Sequence, residues 1–181
     1  MSFFHPPLVI LSLVGMQRLA EALAKNPNLE VIDVNDNNIG KGDAASSFAK
    51  TIASLSKLRI VNLGDCMMDA KSAAKVIHAL SNHSTLEELN LNFCEIDDAT
   101  VELLVEAVVK KSPNLRLLEI NGNELHTKGL NAVKRALAAL GKEKALGSLS
   151  DNEGSDSDDD GEDSEDSDEK DLTDAVKNLK I

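Results

Sequence analysis

Four stretches of this chain share one skeleton, and that repetition constrains its fold more than any other feature. Residues 29–39 read LEVIDVNDNNI, 58–68 LRIVNLGDCMM, 86–96 LEELNLNFCEI and 115–125 LRLLEINGNEL. Their first leucines stand 29, 28 and 29 residues apart. Each stretch places apolar residues at the same points: Leu29/Leu58/Leu86/Leu115, Ile32/Val61/Leu89/Leu118, Val34/Leu63/Leu91/Ile120 and Ile39/Met68/Ile96/Leu125. A unit this short cannot bury its apolar face alone, so successive units must stack into one continuous core.

A strand alternates its faces, so Ile32 and Val34 point into the coil and Asp33 and Asn35 point out. Asn37, Cys66, Cys94 and Asn123 follow where the chain turns away. An inward polar side chain there satisfies backbone groups of the turn that burial would otherwise orphan, and Cys serves as a small, mostly apolar substitute. Between the strands, residues 42–55, 70–80, 98–110 and 129–140 carry apolar side chains at three- and four-residue steps, the mark of helices buried on one face. Asp69, Asp97 or Asp98, and Thr127 are suitable N-caps. Residues 15–23 read as a further helix whose strand is missing or degenerate. The expectation is an α/β leucine-rich-repeat solenoid, a curved horseshoe segment with parallel strands on the concave face and helices outside.

Aromatic residues are 2% of the chain and Trp and Tyr are absent, so the core must be built from Leu, Ile, Val and Ala. The two cysteines both occupy turn positions, which suits buried thiols better than a disulfide. The four histidines are scattered, no Cys, His and carboxylate cluster has metal-ligand spacing, and no cofactor is implied. The expected organisation is an atypical segment over 1–13, repeats over 14–147, a disordered acidic tail over 148–171 and a short amphipathic helix over 172–181. Residues 8–16 are apolar apart from Ser12 and Gly15, but no basic stretch precedes this run and it is too short to cross a bilayer. A solenoid whose first coil lacks a polar cap leaves an apolar end, from which self-association is expected.

Residues 148–171 hold 13 acidic residues and one Lys, and their net charge of −12 equals that of the whole chain. The repeats are therefore neutral overall, and so few apolar residues cannot offset the entropy of ordering the tail. Ser150, Ser155 and Ser157 each have an acidic residue three positions on, as acid-directed kinases prefer.

The outward columns are where binding would occur. Asp33/Asn62/Asn90/Glu119, Asn35/Gly64/Asn92/Asn121 and Asp36/Asp65/Phe93/Gly122 make a polar surface with one aromatic. Asn35, Asp36, Asp65, Asn92, Phe93 and Asn121 are the candidate partner contacts. The surface suits hydrogen bonding to a protein, while its shortage of Lys and Arg disfavours nucleic acid. No phosphate loop, nucleophile elbow or catalytic carboxylate pair occurs in the repeats.

The ordered combination of VNLGDC, LEELNLNFCEI, LEINGNEL, KALGSLSDNE and an acidic run resembles the C-terminal repeats and tail of Ran GTPase-activating proteins, over about residues 15–181. The resemblance implies a cytoplasmic protein, including a pool at the nuclear envelope, that binds the small GTPase Ran in its GTP-bound form in nucleocytoplasmic transport. It implies a regulator of a partner's hydrolysis, not an enzyme with chemistry of its own. In that family an early repeat bears an Asn that helps position the GTPase's Gln, and an Arg lies near the start of the crescent. The first recognisable strand here matches a late repeat, and Arg18 lies on an outer helix, so no catalytic residue carries over. The alternative is a non-catalytic leucine-rich-repeat module for protein–protein interaction.

Overall fold

The computed structural model describes residues 3–4 and 12–152 of the chain. Within them the elements run β1 (Phe3–Phe4), α1 (Leu13–Leu23), β2 (Val31–Asp33), α2 (Asp43–Ser54), β3 (Ile60–Asn62), α3 (Ala70–Leu80), β4 (Glu88–Asn90), α4 (Asp98–Leu104), β5 (Leu117–Glu119) and α5 (Thr127–Ala139). The five strands pair in sequence order and all pairs are parallel. The register joins equivalent repeat positions, with Ile32 opposite Val61, Val61 opposite Leu89, and Leu89 opposite Leu118. Strand and helix alternate once per coil, so the fold is a leucine-rich-repeat solenoid.

Each coil buries its apolar set completely. Ile32, Val34, Val61, Leu63, Leu91, Leu118 and Ile120 are inaccessible to solvent, as are Ala45, Ile52, Val76, Ile77, Val101, Leu104 and Val133 from the helices. Fully burying a Val, Leu or Ile side chain contributes about 1.5–3 kcal/mol, which makes these columns the main source of stability.

Asp69 and Asp97 cap α3 and α4 as expected, accepting hydrogen bonds from Ser72 N at 2.8 Å and Thr100 N at 2.7 Å. Thr127 does not cap α5. It is the first helical residue, and His126 precedes it with its N–H held by Asp98 Oδ1 of the previous coil. The stretch between Ile96 and Leu115 is one residue longer than that between Met68 and Leu86. The helix of this coil ends in a π turn over Val105–Val109, closed by Lys110 N to Val105 O at 3.0 Å, whereas the equally long stretch from Ile39 to Leu58 holds a regular α-helix.

Two expectations about the ends are corrected. The first coil has a strand: Phe3 and Phe4 pair with Val31 and Ile32. Helix α1 begins at Leu13, capped by Ser12, so residues 12–13 belong with the repeats. At the other end, residues 148–152 are not tail. Leu118 bridges Leu146, Gly147 N donates to Leu118 O at 2.9 Å, and Asn152 is buried. The expected acidic tail beyond 152 and the helix over 172–181 lie outside the described residues.

Asn152 is the last rung of a buried ladder among the described residues. Asn123 Nδ2 donates to Leu91 O at 3.0 Å and Ile120 O at 2.9 Å, while its Oδ1 accepts from Cys94 N at 2.9 Å and Ile96 N at 3.2 Å. Asn152 Oδ1 in turn accepts from Asn123 N at 2.9 Å. Asn37 Nδ2 donates to Asn35 O at 3.0 Å. The thiols copy the donor half of this role. Cys66 Sγ reaches Val34 O at 3.1 Å and Cys94 Sγ reaches Leu63 O at 3.3 Å, each a carbonyl of the preceding coil. Neither is in a disulfide, and burial first of all pushes both thiols up to about 12, so they stay protonated at neutral pH. The substitution alters the turn. Met67 and Glu95, which follow the cysteines, have φ of 53° and 48°, whereas Asn38 and Glu124 after the asparagines do not enter that region.

Removing Asn123 strands buried partners on both sides. Asn123→Ala should lower unfolding free energy by about 2–4 kcal/mol, since each buried group left unpaired costs about 1–3 kcal/mol. Asn152→Ala, which removes one bond to Asn123 N and one to Leu149 O, should cost about half as much. Urea denaturation checks both values.

Candidate partner-binding edge

The concave face is built from the outward strand positions. Val31, Ile60, Glu88 and Leu117 form one row and Asp33, Asn62, Asn90 and Glu119 the next, and together they line a shallow hollow of about 180 Å³. Along the N-terminal ends of the strands runs a charge ladder, Glu30–Arg59–Glu87–Arg116. Arg59 binds Glu87 through two contacts, Nε to Oε1 at 2.7 Å and Nη2 to Oε2 at 3.0 Å, and reaches Glu30 Oε2 at 3.2 Å. Arg116 contacts Glu87 at 3.5 Å and also pairs with Glu88. Two-point contact with Glu87 raises the Arg59 guanidinium above its ordinary range, and the Arg59 hydrogen bond holds the Glu87 carboxyl below its own. Alternating sign gives every coil an oppositely charged neighbour in register. The sequence shows this alternation at the second position of each repeat, although the candidate contacts did not include it.

The C-terminal ends of the strands are held differently. Asp33, Asn62 and Asn90 each accept a hydrogen bond from the backbone N–H two residues on, at Asn35, Gly64 and Asn92. The amide of Asn35, oriented to satisfy both ends, donates to Gly64 O at 3.0 Å and accepts from Asp36 N at 3.2 Å. A Cβ at Gly64 would lie 2.6 Å from the Asn35 side-chain amide and 3.0 Å from Asn90 Oδ1, so only glycine lets these two amides close over the strand. Asn92 Oδ1 accepts from Asn121 N at 2.7 Å. Asn121 is clamped twice to Asp151, donating from Nδ2 to Oδ2 at 2.6 Å and accepting from Asp151 N at 2.9 Å. Of the six candidate contacts, Asn35 and Asn121 thus spend both ends of their amides on the scaffold, and Asn92 commits its Oδ1.

Asp36, Asp65 and Phe93 are exposed. They share one repeat position with Gly122, and all four have φ between 53° and 64°. Left-handed backbone costs a residue with a side chain roughly 1–2 kcal/mol, and it turns these side chains out along the rim. The Phe93 ring is seated over Gly122, where an added Cβ would meet its Cε1 at 2.1 Å. A second hollow, of about 340 Å³, lies beside the ring, bordered by Phe93, Glu95, Gly122, Asn123, Glu124 and Asp151. Glu95, Glu124 and Asp151 were not among the candidates. Asp151 falls in the stretch whose composition reads as acidic tail.

Among the described residues, no helix is long and apolar enough to cross a membrane, and no group of three or more His, Cys, Asp or Glu is placed to hold a metal ion.

Comparison with known proteins agrees with this architecture. A leucine-rich-repeat family model matches residues 25–46 and 82–105. Over 67 residues, 37% of this chain, it is 40% identical to Ran GTPase-activating protein 1 of Xenopus laevis. Over 141 residues, 77% of the chain, it is 27% identical to RAN GTPase-activating protein 2 of Arabidopsis thaliana. It is also 29% identical over 102 residues, 56% of the chain, to NACHT, LRR and PYD domains-containing protein 12 of Mus musculus. These matches span 11%, 25% and 10% of the respective relatives' lengths. What the chain shares with all of them is the leucine-rich repeat.

The charge ladder has a pH signature. The Glu87 carboxyl is held below its ordinary value, so the stability it contributes is present above about 4.5 and is lost as pH falls beneath that. Melting temperature should therefore fall between pH 5 and pH 3 more steeply in the wild type than in Glu87→Gln. Calorimetry across that range checks it, and parallel curves would mean that the ladder contributes nothing.

Proposed function

We propose that this chain is a protein-binding solenoid that docks a small GTPase of the Ran class in its GTP-bound form and acts as a regulator of that partner. The observation that carries the reading is the pair of matches to Ran GTPase-activating proteins, one of which follows the repeats through 141 residues. The rim of Asp36, Asp65 and Phe93 supports it, because these exposed side chains occupy the same repeat position on successive coils. A cytoplasmic setting, including the nuclear envelope, accompanies this reading.

The matching protein with NACHT, LRR and PYD domains favours a second reading, in which the same repeats form an interaction module without any effect on GTP hydrolysis. Binding and single-turnover hydrolysis separate the two. Titration calorimetry should give binding to GTP-loaded Ran at least tenfold tighter than to GDP-loaded Ran. Phe93→Ala should weaken it by about tenfold or more, as for an aromatic anchor at a rim. Acceleration of hydrolysis assigns the activator role, and binding without acceleration assigns the module. Equal or absent binding to both forms overturns the proposal.

A further inference from the structure

We infer that the hollow beside the Phe93 ring receives one cationic side chain, Lys or Arg, carried on a basic polypeptide segment of a partner. Phe93 is 53% exposed, yet its ring is seated on Gly122 and its backbone is held in the left-handed turn. One coil earlier, Met67 is 60% exposed, so the rim offers two apolar side chains. A fixed, half-open aromatic face attracts a cation through its quadrupole. The hollow measures about 340 Å³, at the lower end of the range of about 300–1,000 Å³ for ligand clefts, with room for a side-chain stem as well as its charged head.

Charge selects the sign of the occupant. Glu95, Glu124 and Asp151 border the hollow, and Asp65 occupies the Phe93 position on the neighbouring coil. Glu95 forms a surface pair with Lys41 at 3.2 Å, with both side chains more than half exposed, a contact that an incoming cation can exchange for. Glu124 has no ion pair among the described residues. The chain leaves this same corner at Asp151 and Asn152 toward residues 153–171, which hold twelve acidic residues and one Lys. Such a field draws in cations and repels anions. A bare metal ion fits poorly, since the carboxylates ring the hollow and do not converge into a ligand group. An apolar anchor fits poorly too, because burying it would strip water from three carboxylates. A basic segment satisfies both demands, with one side chain over the ring and its neighbours near the acidic rim. This inference does not require the partner to be a GTPase.

The test uses the full isotope-labelled chain, the pentapeptide acetyl-Gly-Arg-Lys-Arg-Gly-amide as probe, and its counterpart with Gln at the three basic positions. NMR titration should shift Phe93 ring protons and the amides of Gly122 and Glu124 with the basic peptide only. Phe93→Leu, which keeps an apolar side chain without a ring, should weaken that binding about three- to fivefold. Glu124→Gln should weaken it by a similar factor, with melting temperature unchanged in both variants. Shifts confined to residues 153–171 would overturn the inference. So would wild-type affinity in both folded variants, or equal binding of the Gln peptide.

Discussion

The solenoid depends on one buried interaction, the hydrogen bonds of the turn-position side chains. Parallel strands of three residues form few backbone bonds, and the chain must leave each strand sharply to reach its helix. The N–H and C=O groups of that bend are buried against the next coil and cannot reach water. Asn123 meets four of them at once, from Leu91, Cys94, Ile96 and Ile120. Cys66 and Cys94 meet fewer, and in those coils the following residue goes left-handed. A buried network of this kind is stabilising only when fully satisfied, which explains why the ladder runs on to Asn152 instead of stopping at the last clear repeat.

The rim follows from that bend. Asp36, Asp65, Phe93 and Gly122 stand directly before Asn37, Cys66, Cys94 and Asn123, so fixing the inward residue also fixes the outward one before it. Scaffold and exposed rim are neighbours in sequence, with opposite orientations. The Glu30–Arg59–Glu87–Arg116 ladder holds the other end of the strands in register. The concave surface lies between these two constraints.

Much of this was legible in the sequence because period and burial are the same fact seen twice. Strands, helices and inward positions could be placed from leucines recurring at 28 and 29 residues, and both cysteines were correctly placed at the turn. Three kinds of information were not legible. Phe3–Phe4 forms a strand that has none of the repeat's leucines, and only pairing with Val31 and Ile32 reveals it. Asn152 lies within acidic residues whose composition concealed the 29-residue step from Asn123. The third is how side-chain polarity is used: the Oδ1 of Asn92 and the amide of Asn121 bond to the scaffold, and the Phe93 ring is seated over Gly122.

The central claim is that the inward ladder extends through Asn152 and makes residues 148–152 part of the solenoid. Amide hydrogen exchange resolved by residue tests it most directly. The account predicts strong protection at Asn123 N, bonded to Asn152 Oδ1, and at Asp151 N, bonded to Asn121 Oδ1, with Asn152→Ala releasing the first while leaving Cys94 N protected. Exchange of Asn123 and Asp151 at the rate of an unstructured peptide would contradict it, and the solenoid would then end with the fourth clear repeat.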